Sequence, residues 1–480
     1  MSTRKVSSVR ATSPQTNGGA LRRAVNWIVN DSIFHNLKLH GNVTWKASGL
    51  VCLALFWVWS PESSLVQAAK AAIEAVTAIF GSAAVGSYQA LTGALKTYTG
   101  QLLPVLWLRL QSLMADCDDG SWRIGLWLAL AVDGSRVGTP RTWKNELRFC
   151  KPAVKRGKKK GKKAKKRSRR ANQKRRAAAR RKSHHNPHPE SPQMWLTLIW
   201  HIGIRLPWCW KIGPSYSSER DHLLEMLAEQ RFPEFTLFCA DAGFVGYDFW
   251  QGIAERDHHF LIRVGSNVRL LKQLGYVRER NGIVYSWPNA AMKKEQLPLV
   301  MRLLHFHDGH GDVYLVTNVL SEKELTDGQA STIYRQRWGV ELQFRSFKQT
   351  FGRSKLRSRT PDCAEIELHW SLLGLWMLQL LAFKEQTGAG EPADHTSIAA
   401  VLRIIRWMMH NESRIPSRGE SLPRRLASAQ IDDYERHTTK TSRNYPRRKE
   451  KHTVGRPTIQ TATQTHKQKL RELQSLAQAT

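Results

Sequence analysis

Residues 334–348 read Tyr-Arg-Gln-Arg-Trp-Gly-Val-Glu-Leu-Gln-Phe-Arg-Ser-Phe-Lys. The stretch predicts a helix, because it contains one Gly, no Pro, and good helix formers between its aromatic residues. On a helix, the offsets 0, 3, 7 and 14 from the first residue fall within an arc of about 60°. These positions carry a phenol, two cations and one carboxylate: Tyr334, Arg337, Glu341 and Lys348.

Cations outnumber acids around Glu341. Arg337 stands four residues before it and Arg345 four residues after it, and no second acid lies nearby. A helix that only needs solubility pairs Glu with Lys at four-residue spacing. An excess of cations around one carboxylate indicates a site that meets phosphate, and an amphipathic surface helix with a chance stripe is the alternative.

Two aspartates follow apolar runs that predict buried strands. The run from Trp122 ends at Asp133 before Gly-Ser, and the run from Phe235 ends at Asp241 before Ala-Gly-Phe. Strands buried on both faces have such unbroken apolar sequences, and sheet-based sites are built at the carboxyl ends of strands. The alternative for each aspartate is a turn or helix-capping residue.

Asp133, Asp241 and Glu341 could converge on one pair of divalent cations. Carboxylate oxygens suit Mg²⁺, which is commonly shared with substrate phosphates. Two such ions about 4 Å apart stabilise the attacking and leaving oxygens of an in-line displacement at phosphorus.

The charge balance of the chain points to a polyanionic partner. The formal net charge is +35, which favours nucleic acid over an anionic membrane surface. In residues 151–182, Lys and Arg supply 19 of 32 residues and no acid occurs. We expect this run to be a disordered, phosphate-binding arm, and a tolerated loop insertion is the alternative.

Cysteine usage and the amino terminus bear on location. The six cysteines are scattered without a CxxC pair, which argues against disulfides and structural zinc and fits a reducing cytoplasm. The first residues lack the apolar core of a signal peptide, and the apolar run 49–59 is too short to span a bilayer. We therefore expect a soluble, cytoplasmic protein without a membrane partner.

The hydrophobic patterns predict an α/β fold with a mixed sheet flanked by helices. Its expected parts are a disordered lead-in (1–20), an N-terminal helical domain (21–115), a first α/β part (116–266) with a disordered basic insertion (151–190), a β-rich insertion (267–320), a second part of the α/β domain (321–386), and a C-terminal helical segment with a loosely ordered basic tail (387–480).

These motifs together resemble the DDE transposases of the insertion-sequence-four family. The family signature Tyr-x2-Arg-x3-Glu-x6-Lys is present at every spacing in residues 334–348, and the family's Asp-x-Gly-Phe/Tyr motif is matched by residues 241–244. The family also has an acid on the first strand and a β-rich insertion, here Asp133 and residues 267–320. The resemblance covers roughly residues 122–386. It implies a ribonuclease-H-like catalytic domain in two parts (116–266 and 321–386) and DNA binding by the N-terminal helical domain (21–115).

The resemblance also implies roles for single residues. Asp133, Asp241 and Glu341 would be catalytic and bind two Mg²⁺ ions, for which Mn²⁺ would substitute. The expected DNA contacts are phosphate contacts near the cleaved strand and along the backbone, made by Tyr334, Arg337, Lys348 and, outside the signature, Arg345. Trp287 is the candidate by position for stacking on a flipped base, and a packing role is the alternative.

The expected function is cut-and-paste DNA transposition. A homodimer would bind double-stranded DNA at inverted-repeat element ends, cut it, and join the freed ends to target DNA. We expect this activity in the cytoplasm, in association with the nucleoid. Two alternatives stay open: a catalytically inactive basic nucleic-acid-binding protein derived from a transposase, and a ribonuclease-H-like nuclease that does not transfer strands.

Overall fold

The computed structural model describes residues 15–118, 120–152, 190–280, 282–309, 311–391, 395–417, 419–431 and 454–479. Most of the expected lead-in and nearly all of the basic run 151–182 lie outside these ranges. The chain forms two compact units. Unit 1 contains residues 1–118 and 366–434, and unit 2 contains residues 119–365 and 435–480.

The helices in the described ranges are, in chain order, α1 (Asn17–Ile28), α2 (Ala47–Trp59), α3 (Leu65–Phe80), α4 (Tyr88–Asp116), α5 (Trp143–Phe149), α6 (Glu219–Glu229), α7 (Tyr247–Ala254), α8 (Asn289–Lys293), α9 (Asp327–Gln336), α10 (Gly339–Arg345), α11 (Pro361–Ala389), α12 (Ile398–His410), α13 (Leu422–Ala427) and α14 (Gln464–Ala479). The strands are β1 (Leu128–Gly138), β2 (Gln193–His201), β3 (Leu206–Pro214), β4 (Thr236–Ala240), β5 (His259–Val264), β6 (Arg269–Lys272), β7 (Ile283–Ser286), β8 (Leu299–His307), β9 (Asp312–Thr317) and β10 (Thr458–Thr461).

Unit 1 is helical, as the spacing of apolar residues predicts. Every residue of α2 from Leu50 to Trp59 is buried, as expected for a helix that is apolar on all sides. α3 ends at Gly81, whose φ of 91° is a left-handed conformation that Gly adopts without steric cost. The DNA-binding role expected for residues 21–115 stays a prediction.

Unit 2 is built on a mixed sheet with the order β10-β6-β7-β8-β9-β5-β4-β1-β2-β3 in the described ranges. β1 is parallel to β4 and antiparallel to β2, while β4 is parallel to β5 and β3 is antiparallel to β2. In the five-strand order β3-β2-β1-β4-β5, only β2 therefore runs against the others. This is the ribonuclease-H-like arrangement, and the predicted α/β class is confirmed.

The β-rich insertion joins the main sheet. Its strands β6, β7, β8 and β9 lie within residues 267–320, where a β-rich insertion is expected, and β9 pairs with β5 of the five-strand core. The insertion thus extends the catalytic sheet from one edge.

Four expectations about boundaries are wrong. The lead-in expected to be disordered through residue 20 ends earlier, because α1 begins at Asn17 with Thr16 as its N-cap. The first strand begins at Leu128, not Trp122, because residues 124–127 form a tight turn closed by an Ile124–Trp127 bridge. Residues 366–386 belong to unit 1 and not to the catalytic unit. The carboxyl-terminal residues 454–479 are not a loose tail, because β10 pairs with β6 and α14 buries Leu470 and Leu473.

One described helix, α11, is long and apolar enough to cross a membrane. Its most apolar window is 94% buried inside the protein. Such burial is typical of the core helix of a globular fold, which passes the same length and composition test.

Candidate active site

Strand register brings the two aspartates together. Leu128–Ala131 of β1 pair in parallel with Thr236–Cys239 of β4, so two further residues along each strand place Asp133 beside Asp241. Asp133 lies in the middle of β1 and not at its end as predicted, because β1 continues past the end of β4 to Gly138 and stays paired with β2. The shorter partner β4 ends at Ala240, which opens the sheet at this level.

Both aspartates are oriented by backbone amides. Asp133 Oδ1 accepts a hydrogen bond of 2.8 Å from Gly134 N, and Asp241 Oδ1 accepts one of 2.7 Å from Gly243 N. A residue with a Cβ at 243 would place that atom 2.9 Å from Asp241 Oδ1. The Gly of the Asp-x-Gly-Phe motif therefore leaves room for the carboxylate to turn back onto the chain.

The signature segment is helical, as predicted, but it is not one regular α-helix. Arg337 and Trp338, between α9 and α10, keep right-handed helical φ and ψ angles. α9 ends at Gln336, α10 begins at Gly339, and a π-helical turn spans Ser346–Thr350. Gly339 lies directly against the Trp200 ring of β2, and a Cβ there would approach Trp200 Cη2 to 2.0 Å. The close approach of helix to strand requires Gly at this position.

Arg337 lies at this break and is the buried cation of the site. It is 9% exposed, its guanidinium lies 5.5 Å from the Tyr334 ring centroid, and its Nη2 lies 3.5 Å from Glu341 Oε1. Burial alone would lower the pKa of Arg337, but the surrounding Tyr334, Asp241, Asp133 and Glu341 raise it. Arg337 is thus a permanent positive charge between the acids.

Glu341 and Asp133 line the same cleft of about 360 Å³. The other lining residues are Gly134, Ser135, Phe344, Arg345, Lys348 and Gln349. Lys348 Nζ donates a 2.6 Å hydrogen bond to Ser135 Oγ, and burial lowers the pKa of Lys348 although Asp133 opposes that change. The cleft therefore places two cations beside two carboxylates.

Three of the expected DNA-contact residues are buried: Arg337, described above, Tyr334 and Trp287. Tyr334 is 8% exposed, and burial raises the pKa of its phenol. Trp287 is 4% exposed; its Nε1 donates to Gln296 O at 2.8 Å, and it packs in an apolar cluster with Leu470 and Leu473 of α14. These contacts give Trp287 a packing role in this structure, and its stacking on a base stays a prediction.

Glu219 is a fourth carboxylate at the site that the sequence reasoning missed. A Cβ on Gly134 would lie 2.3 Å from Glu219 Oε1, so the Glu219 carboxylate rests against the backbone beside Asp133. Burial, together with Asp133 and Asp241, raises the pKa of Glu219 to about 7. Glu219 is the first residue of α6, where an acid is common because it interacts favourably with the helix dipole. The sequence therefore gives no sign that its carboxylate lies beside Asp133.

Burial raises the pKa of Asp133 to about 6, and the charges of Asp241 and Glu341 add to this increase. The carboxylates thus repel one another without full compensation, a condition that a divalent cation relieves. In the described ranges no three carboxylate, imidazole or thiolate groups already stand close enough to hold a metal ion. The donor set is nevertheless the hard-oxygen type that Mg²⁺ uses together with substrate phosphates.

The sheet order and the carboxylates on β1, directly after β4 and on a covering helix define a ribonuclease-H-like protein with an acidic site. The sequence profile of the Transposase DDE domain family matches residues 128–377. The chain belongs to this family.

Two similar proteins are informative about the extent of the match. Transposase InsG for insertion sequence element IS4, from Escherichia coli strain K12, is 27% identical over 246 residues, which is 49% of this chain and 54% of that protein. The chain thus spans about half the length of this curated relative. The resemblance to the insertion-sequence-four group is confirmed.

Among solved structures, the piggyBac transposase synaptic complex with hairpin DNA aligns over 88% of each chain, with 11% identity and a TM-score of 0.37. This score is too low for residue roles to be compared between the two structures.

Proposed function

We propose that this protein is a transposase that cuts DNA at element ends and joins the cut ends to target DNA through a two-metal site. One observation carries the proposal: three carboxylates surround the buried Arg337. The β1–β4 register brings Asp133 and Asp241 to it, and Glu341 forms an ion pair with it. Family membership supports a DNA-cleaving activity.

Asp133, Asp241 and Glu341 would hold two Mg²⁺ ions, with Mn²⁺ as a substitute. When bound, the ions supply charge stabilisation for the attacking and leaving oxygens at phosphorus. Arg337 stays charged and fixes Glu341, while Lys348 and Arg345 at the cleft neutralise backbone phosphates. In this proposal the Tyr334 ring packs against the Arg337 guanidinium and supports it. Tyr334 would reach phosphate only at the edge of the site beside Arg337.

The first test is Glu341→Gln, which keeps the shape of the side chain and removes its charge. We expect Mg²⁺-dependent strand cleavage to fall by at least about 10³-fold, because one ligand oxygen loses its charge, while retention of DNA stays nearly unchanged. The matched control is Glu324→Gln, an exposed acid of the same unit, which should cleave normally. Cleavage at the wild-type rate by Glu341→Gln would falsify the assignment.

A strand-transfer assay separates transposition from its two alternatives. A nuclease of the same fold cuts but yields no joined product, and an inactive DNA-binding protein neither cuts nor responds to metal. Calorimetry with Mn²⁺ checks the second case, because heat of binding that disappears in Asp133→Ala indicates a metal site.

The proposed partners follow from the proposed reaction. Double-stranded DNA at inverted-repeat ends and at the target would be the substrates, and a homodimer would hold two ends together. The proposal places this activity in the cytoplasm, associated with the nucleoid. Analytical ultracentrifugation with a DNA end fragment measures the predicted two-to-two stoichiometry.

A further inference from the structure

The helix α5, which the sequence analysis did not anticipate, exposes two large apolar side chains. Its inner face buries Asn145, Glu146 and Phe149, which already anchor it to unit 2. Its outer face carries Trp143, 55% exposed, and Leu147, 70% exposed. Four-residue spacing places these two side chains next to each other. Both side chains therefore present apolar surface to solvent.

A basic extended segment runs beside α5. Thr142 Oγ1 donates to Arg359 O at 2.8 Å, and Asn145 Nδ2 donates to Ser358 O at 3.3 Å. On this surface the side chains of Lys144, Lys355 and Arg359 are exposed. We refer to Trp143, Lys144, Leu147, Lys355 and Arg359 as the α5 surface.

The acids near the α5 surface are mostly engaged elsewhere. Glu146 is buried and pairs with Arg141 at 2.8 Å, and Glu365 pairs with Arg148 at 3.4 Å. Asp362 is the exposed acid that remains. In the part of the chain that the structure describes, no ion pair engages the three cations of the α5 surface, which leaves them available to an anionic partner.

Two lysines lie along β1 between the candidate active site and the α5 surface. Lys348 Nζ donates to Ser135 Oγ, two residues after Asp133, and the backbone of Lys355 pairs with that of Gly138, five residues after Asp133. At about 3.3 Å per residue, Gly138 lies about 17 Å from Asp133 along the strand. That distance equals about five base pairs of duplex DNA at 3.4 Å each.

We propose that the α5 surface binds the DNA duplex about half a helical turn from the cleaved bond. Lys144, Lys355 and Arg359 hold backbone phosphates, and Trp143 with Leu147 packs against the sugars and base edges between them. Cations interleaved with an exposed aromatic side chain are the chemistry that nucleic acid recognises. This inference rests on the proposed function, because it requires that the carboxylates act on DNA.

The test measures binding of a mixed-sequence duplex of about 30 base pairs, in EDTA so that no strand is cut, over a range of salt concentrations. In the triple variant Lys144→Ala, Lys355→Ala, Arg359→Ala, the slope of log K against log salt should fall by about 3, because each lost phosphate contact removes about 0.9. The matched control replaces three exposed lysines of the same unit, Lys293, Lys294 and Lys323, and should keep the wild-type slope.

A second variant tests the apolar part. Trp143→Ala should weaken duplex binding about five- to tenfold, Trp143→Phe should restore most of it, and both should keep the wild-type melting temperature because the side chain is exposed. Equal loss in the triple variant and its control overturns the inference, since net charge alone would then explain binding. A dimer that dissociates in Trp143→Ala with unchanged DNA affinity also overturns it, because the surface would then join two copies.

The two proposals fail in different ways. If the unsubstituted protein does not bind the duplex, the proposed function and this inference both fall. If the unsubstituted protein binds and the triple variant binds equally well with an equal salt slope, this inference alone falls.

Discussion

At the scale of single residues, the buried carboxylates of the site repel one another, which destabilises their charged forms. Asp133 has a pKa raised to about 6 and Glu219 one raised to about 7, in each case by burial first and by neighbouring carboxylates second. Arg337 compensates part of this charge, and a functional site commonly costs stability in this way. At neutral pH the metal-free protein should therefore be less stable than the same protein with these carboxyl groups neutral.

The pH dependence of this effect has a definite sign. A carboxyl whose folded pKa is above its unfolded value binds more protons when folded, so stability falls as pH rises from about 4 to about 6. For Asp133 the difference of roughly two units corresponds to about 2–3 kcal/mol. Asp133→Asn removes this titration and keeps the acceptor oxygen for Gly134 N.

We therefore expect Asp133→Asn in EDTA to unfold at higher urea than the wild type at pH 7, with the two converging near pH 4. Urea titrations at several pH values measure this, with Asp248→Asn, an exposed acid, as the control. Adding Mg²⁺ should stabilise only the wild type, because only it retains the site. An unchanged difference between pH 4 and pH 7 would contradict the expectation.

At the scale of single elements, the sequence predicts those helices and strands whose formation depends on their own residues. Strands β6 to β9 all lie within residues 267–320, where the β-rich insertion is expected. The need for Gly339 after the break between α9 and α10 could not be predicted, because it comes from contact with the Trp200 ring on β2, more than a hundred residues earlier. Glu219 was missed for a similar reason, since only the packing of α6 on β1 brings it to Asp133.

Gly339→Ala gives this break a sharp test. In a free helix the change would stabilise by about 1 kcal/mol, whereas the contact with Trp200 predicts a loss of about 1–3 kcal/mol from overpacking. The free energy of unfolding from urea titration distinguishes the two signs. In the double variant Gly339→Ala, Trp200→Leu, the loss in free energy of unfolding should be smaller than the sum of the two single losses. Strict additivity of the two losses would argue against direct contact.

At the scale of the whole molecule, segments distant in sequence complete one sheet. β10 pairs with β6 over the four residues Thr458–Thr461, and α14 contributes Leu470 and Leu473 to the cluster around Trp287 and Tyr285. The polar composition of this region predicts a tail, because a four-residue strand has too little pattern to be recognised without its partner. Unit 1 is likewise assembled from both halves of the chain, which sequence order does not reveal.

The C-terminal segment should therefore stabilise the β-rich insertion. Leu470→Ala and Leu473→Ala each remove a buried side chain, at 3% and 5% exposure, and should each cost about 2–5 kcal/mol. Leu476→Ala, on the same helix but at a 57% exposed position, should cost less than about 0.5 kcal/mol. Hydrogen exchange locates the effect, because amides of β6 and β7 should lose protection while those of β1 and β4 keep it. Equal effects of all three substitutions would show that α14 does not pack on the insertion in solution.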